Sequence, residues 1–227
     1  MDERSTYFSE DFFRFFRELS KNNNKEWFTA NKARYEKAVQ DPAVRFVKDA
    51  GAKLQKISSF LVGDAKPFGG SISRIYRDLR FSPDKSPYKT HVGIHFWHGK
   101  ATGPEHMAPG LFLHLESGES AEYSGVWHPE APTLKKIRAR IVSEPDAWKA
   151  VLRSRVQFEG DSLQRPPPGY DPNHPFIQDL RRKDFVGTRS FKDSEVTSPR
   201  FLDTFTEAAK TMDPLNGFLA RAIGLPW

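Results

Sequence analysis

Residues 74–91, RIYRDLRFSPDKSPYKTH, carry five cations, Arg74, Arg77, Arg80, Lys85 and Lys89, against two acids, Asp78 and Asp84, a local charge of +3. Two arginines about 7 Å apart, the spacing of same-face neighbours on a strand, can fork around one phosphate or carboxylate. Read as a strand, 71–81 places Ile72, Arg74, Tyr76, Asp78 and Arg80 on one face and Ile75, Arg77, Leu79 and Phe81 on the other. The following 82–87 stretch, SPDKSP, is turn-rich, and Lys85, Tyr88 and Lys89 are placed to close over a ligand. The predicted ligand-binding set is therefore Arg74, Tyr76, Arg77, Asp78, Arg80, Lys85, Tyr88 and Lys89. A competing reading spends these charges internally, with Asp78 on Arg74 or Arg80 and Asp84 on Lys85 or Lys89. Counting favours the ligand, because two acids cannot neutralise five bases.

The histidines that follow, His91, His95 and His98, suggest a metal cluster at first sight. On a strand, residues four apart are separated by about 13 Å, too far to share an ion bound at about 2 Å. His114 and Glu116 fall on one face of a later strand and could join His91 or His95 from beside them. A general base is the better use of such a histidine, since neighbouring positive charge favours the neutral imidazole. His91 and His95 are thus the catalytic candidates, no metal site is predicted, and whether any reaction occurs is left open.

These groups need a scaffold, and composition bounds it. The chain has 227 residues and no cysteine, which excludes a thiolate nucleophile, a disulfide framework and Cys-ligated metals. Lysine and arginine number 35 against 29 acids, a net charge of +6 and a pI near 9.4. That balance suits an anionic partner or serves solubility alone. The charged start, Met1-Asp2-Glu3-Arg4, leads into no signal-type core, and no run of 18 apolar residues exists, so no membrane partner and a cytoplasmic location are expected. No Gly-x-Ser-x-Gly elbow, Walker loop or dinucleotide glycine fingerprint is present, and no cofactor is predicted.

Periodicity supplies the elements. Residues 8–20 read as a helix capped by Ser9, with Phe12, Phe13, Phe16 and Leu19 on one face. Asn23 and Glu26 resemble a capping box opening a second helix, and a third runs past Pro42 to about Leu61. After Gly63 come strands at 71–81, 91–98, 110–116 and 120–127, with a loop at 99–109. Helices return at 132–142 and 147–156, then after Asp171-Pro172 and after Ser198-Pro199. The expectation is one α+β domain over 1–227: an antiparallel meander of about four or more strands mid-chain, packed by N- and C-terminal helices.

Four segments, NNNKEWF (22–28), the 74–91 stretch, RPPPGY (165–170) and RRKDF (181–185), are similar to a widespread bacterial and fungal family of conserved hypothetical proteins, a domain of unknown function. The resemblance implies a single domain and weight on those motifs, and brings no reaction with it. The first reading is a protein that binds a small anionic molecule at 74–91. The second is a nucleic-acid-associated module using the basic runs at 135–140 and 181–183. The third is a partner-binding scaffold using the Phe-rich N-terminal helix. Oligomeric state is not legible.

Overall fold

The N-terminal phenylalanines build the first layer. In this computed structural model, which describes residues 6–67, 69–80, 82–101 and 108–227, α1 (Glu10–Lys21) buries Phe12, Phe13, Phe15, Phe16 and Leu19. The predicted stripe is present with Phe15 added. Ser9 stands at the N-cap, but its side chain makes no capping bond; its carbonyl accepts the Phe12 N–H at 3.0 Å. In α2 (Lys25–Ala30) the cap is Asn24, whose side chain accepts the Trp27 N–H at 2.9 Å, one residue later than predicted. The chain continues through α3 (Lys32–Tyr35) and a π-helical turn (Glu36–Gln40) into α4 (Asp41–Leu54), with Pro42 in its first turn. That helix ends at Leu54 rather than near 61, and buries Phe46, Val47, Ala50 and Leu54 on the side facing the Leu61–Val62 strand and the C-terminal helix, where Phe46 meets Phe201 and Phe205.

The sheet has six antiparallel strands in the order β1-β2-β3-β4-β6-β5. They are β1 (Leu61–Val62), β2 (Val92–His98), β3 (Gly110–Leu115), β4 (Ser120–Val126), β5 (Gln157–Glu159) and β6 (Phe185–Phe191). Between and after them lie α5 (Ala131–Ser143), α6 (Pro145–Arg153), α7 (Ile177–Leu180), α8 (Asp193–Val196) and α9 (Phe201–Ala222). The α+β class and the β2–β3–β4 meander match the sequence reading. α7 begins six residues after Asp171, not at the Asp171-Pro172 pair. β5 and β6 lie where no strand was predicted.

The largest departure is at 71–81, which is not a continuous strand. Ile72 and Ile75 are both buried although they are three residues apart, so the chain has to bend between them. It pairs in two short pieces. Ser73 donates to the Gly93 carbonyl at 2.8 Å, and His95 to that of Ser71 at 2.9 Å. Arg77 then donates to Pro87 at 3.0 Å and Lys89 to Ile75 at 2.8 Å, with single bridges Ile72–Ile94 and Tyr76–Tyr88. The expected two-faced alternation of arginines therefore does not form. Phe81, residues 102–107 of the predicted loop and Met1–Arg4 lie outside the described residues.

Alternation in the regular strands separates two faces. Ile94, Phe96, Leu111, Leu113, Leu115 and Val126 are buried on the helix side, and α9 runs beneath β4. Gly93, His95, Trp97, Gly110, Phe112, His114, Tyr123, Gly125 and Trp127 point the other way, where Phe112 and Trp127 are exposed. No described helix is long and apolar enough to cross a membrane.

Candidate functional site: the open face of the sheet

Three consecutive strands place aromatic side chains on the helix-free face, and glycines give them room. His95 lies opposite Phe112, which lies opposite Tyr123. Gly110 lies opposite Gly125. A Cβ on Gly93 would stand 2.6 Å from the Phe112 ring, and one on Gly110 would stand 2.6 Å from the Phe96 carbonyl. The result is a pocket of about 620 Å³ walled by Trp97, Phe112, Tyr123 and Trp127, with Ser73 and His95 among its polar edges. That volume falls in the range of about 300–1,000 Å³ typical of small-molecule sites. The sequence reading missed this aromatic floor. Its signal was present as aromatics at outward positions of three neighbouring strands, spaced by glycines.

At the Val92 end of β2, three polar side chains converge on the same face. Val92 pairs with Leu115, so His91 and Glu116 come next in register, and His114 lies two residues back from Glu116. His114 Nε2 is 3.0 Å from Glu116 Oε2 and His91 Nδ1 is 3.9 Å from it. The two imidazole centroids are 4.5 Å apart. Thr90 Oγ1 donates to the other carboxylate oxygen at 3.2 Å. Burial and then the His114 ring push the His91 imidazole down to about 4; Glu116 pulls the other way, and the Lys89 and Arg77 charges add smaller pushes downward. The two histidines within β2 divide. His95 faces the pocket, whereas His98 is buried, with Nε2 2.7 Å from the Pro226 carbonyl and its ring stacked on Phe60.

The 74–91 cations separate into two groups. Arg77 pairs with Asp84 and also donates to Ser86 Oγ at 2.9 Å and Ser82 Oγ at 3.2 Å. Arg80 pairs with Asp78 at 2.6 Å, and Lys85 donates to the Leu79 carbonyl at 3.0 Å. These three hold the loop, with Asp84 on Arg77 rather than on Lys85 or Lys89. Arg74 and Lys89 make no ion pair among the described residues. Lys89 is half-buried, and burial together with the Arg74 charge lowers its ammonium below the ordinary range. Tyr76 is exposed, while Tyr88 is buried and stacks on Phe28 at 4.1 Å.

Two of the motifs prove to be joined. Asn23 donates to the Tyr88 carbonyl at 2.9 Å and accepts the Tyr88 N–H at 3.0 Å, a two-point clamp between 22–28 and 74–91. Together with the Phe28–Tyr88 stack, it fixes the position of Lys89 and His91. Asn23→Ala is therefore expected to leave the fold intact but speed amide exchange across 86–91, measured by hydrogen-exchange mass spectrometry.

The basic run at 181–183 is turned to internal use. Arg181 donates to the Leu163 and Gln164 carbonyls at 2.7 and 3.0 Å. Arg182 bonds Asp179 at 3.2 Å and lies 4.2 Å over the Phe158 ring. Arg138 donates to the Arg182 carbonyl at 2.9 Å.

No curated protein and no solved structure matches the chain. A family model described as conserved hypothetical protein (DUF2461) matches residues 11–218, from the first Phe-rich helix through nearly all of α9, and the chain belongs to that family.

Proposed function

We propose that the protein binds a small molecule with an anionic group and an apolar, ring-bearing body. The anionic group lies between Arg74 and Lys89, and the body extends over the aromatic pocket. One observation carries this reading: the exposed Arg74 charge lies close enough to the half-buried Lys89 ammonium to lower it, and neither makes an ion pair among the described residues; of the two, Arg74 alone has Asp78 within electrostatic reach. Like charges held together in a partly desolvated place cost free energy that a bound anion would offset. Arg77, Arg80 and Lys85 then position the loop instead of touching the ligand, and Asp78 serves Arg80. Tyr76 is exposed beside them, and His95 borders the ligand from the pocket wall.

Calorimetric titration with inorganic pyrophosphate at low salt tests the reading. Arg74→Ala and Lys89→Ala are each expected to weaken binding by about tenfold or more, since a charge-assisted hydrogen bond contributes about 1.5–3 kcal/mol. Arg74→Ala is expected to leave the thermal midpoint unchanged, because Arg74 is exposed and makes no side-chain hydrogen bond or ion pair among the described residues. Arg77→Ala is expected to expose the 82–87 loop to protease. Absence of binding, or equal affinity in the Arg74→Ala/Lys89→Ala double variant, would count against the proposal. Nucleic-acid binding draws less support, because Arg138, Arg181 and Arg182 are tied into the fold.

A further inference from the structure

We infer that His91, His114 and Glu116 form a site for a divalent transition metal ion, held by two imidazole nitrogens and one carboxylate oxygen. The inference does not depend on Arg74 and Lys89 binding an anion. Along one strand, the histidines are too far apart to share an ion. Across a ladder the geometry differs, since opposed residues carry Cβ atoms about 4.5–5.5 Å apart. The β2–β3 register brings His91, His114 and Glu116 to one place on one face, with one candidate ligand atom from each all within 4.8 Å of one another.

An ion bound at about 2.0–2.1 Å in tetrahedral geometry spaces its ligand atoms by roughly 3.3 Å. The His114–Glu116 separation of 3.0 Å and the His91–Glu116 separation of 3.9 Å bracket that value. Closing the remaining gap takes a movement of less than about 1 Å per side chain. Thr90 supplies the outer support that ligating carboxylates generally have: its hydroxyl holds Glu116 Oε1 and leaves Oε2 directed at the imidazoles.

The donor set selects the ion. Two imidazoles and a carboxylate suit Zn(II) or Fe(II) and not Ca(II) or Mg(II), which take oxygen ligands. Three protein ligands from one sheet face leave coordination positions open. An ion there would keep about one unit of positive charge after the single carboxylate, so a water or an anionic ligand atom would complete its shell. The alternative is a plain His114–Glu116 ion pair, and the two differ in stoichiometric metal uptake.

Co(II) is the probe, because its ligand-field absorption reports coordination number. Metal-free full-length protein is titrated with Co(II), then with Zn(II) in competition. One equivalent bound with a four- or five-coordinate spectrum, displaced by Zn(II), is the expected result. His91→Ala and His114→Ala are each expected to lose at least about 100-fold in affinity, and Thr90→Ala about tenfold, the range for outer-shell partners. Circular dichroism checks that each variant is folded. A folded wild-type chain that binds neither ion stoichiometrically overturns the site, whatever the variants do. So does a folded His114→Ala variant with wild-type affinity.

Discussion

Replacing Asp184 by alanine is expected to cost roughly 3–5 kcal/mol of folding stability, seen as a fall of roughly 6–20 °C in thermal midpoint for a chain of this size. Asp184 is fully buried, and each of its carboxylate oxygens accepts from the backbone. Oδ1 takes the His128 N–H at 2.8 Å and Oδ2 takes the Asp161 N–H at 3.0 Å. His128 is one of two non-glycine residues with positive φ among the described residues, at 46°, so the turn leaving β4 is strained and held from outside. Asp161 follows Gly160, whose φ of 102° and approach to Asp184 leave no space for a Cβ. One carboxylate thus fastens the end of β4 to the end of β5 across the start of β6. Truncation leaves two part-buried backbone donors without that acceptor, at about 1–3 kcal/mol each, and removes a negative charge that both bonds and the His128 ring nitrogen 3.0 Å away use. Asp184→Asn should fall between, because its amide accepts at one atom and turns a donor toward the other N–H. Urea unfolding followed by tryptophan fluorescence measures both. A loss under about 1 kcal/mol in Asp184→Ala would show that the turns hold without the carboxylate.

The same residue shows what a sequence can and cannot reveal. RRKDF reads as a basic run, and its charges draw attention, yet the acid in it is the buried member and the two arginines serve carbonyls and a ring. Charge counting sees net sign and cannot see which groups face inward. The regular strands were legible because apolar residues alternate on their helix side, as in Leu111, Leu113 and Leu115. β6 was not, because Gly187 and Arg189 occupy inward positions and break that alternation beneath α9. Segment 71–81 misled in the opposite direction: charged and apolar residues alternate well, but Ile72 and Ile75 both anchor in the core.

The site was legible in its parts and not in its assembly. The importance of 74–91 follows from composition, and the split of its cations into loop-holding groups and groups with no ion pair among the described residues does not. That split depends on Asp84 reaching Arg77 across seven residues of loop. The grouping of His91 with His114 and Glu116 depends on the β2–β3 register. Alternation within each strand fixes which face a side chain takes, but not which residue of the partner strand it meets. The Asn23–Tyr88 clamp spans 65 residues of chain and leaves no local trace.

Glu122 carries the second large effect, and its sign is opposite. It sits inward on β4, fully buried, and neither carboxylate oxygen has a hydrogen-bond partner among the described residues. Burial therefore pushes its carboxyl well above the ordinary carboxylate range, and the charge of Arg189 opposes this without cancelling it. Arg189 lies opposite Glu122 in register but gives its guanidinium to Glu195 at 2.8 Å. The folded chain keeps the Glu122 proton at pH values where the unfolded chain has lost it. Below about 4.5, the ordinary value, both states are protonated and Glu122 costs no ionisation energy. As pH rises past that point the unfolded state is favoured by releasing its proton, so stability declines until the folded group also ionises. Glu122→Gln removes this linkage. The variant is expected to lie within about 1 kcal/mol of wild type near pH 5, and to exceed it by on the order of 1–3 kcal/mol near pH 8. Urea midpoints of the two proteins at both pH values isolate the effect, because every other titrating group is common to them. If the substitution is equally destabilising at both, Glu122 is ionised in the fold and Arg189 is its true partner. In that case the β4–β6 pair is held by a buried charge bridge, and not by a neutral acid kept dry beneath α9.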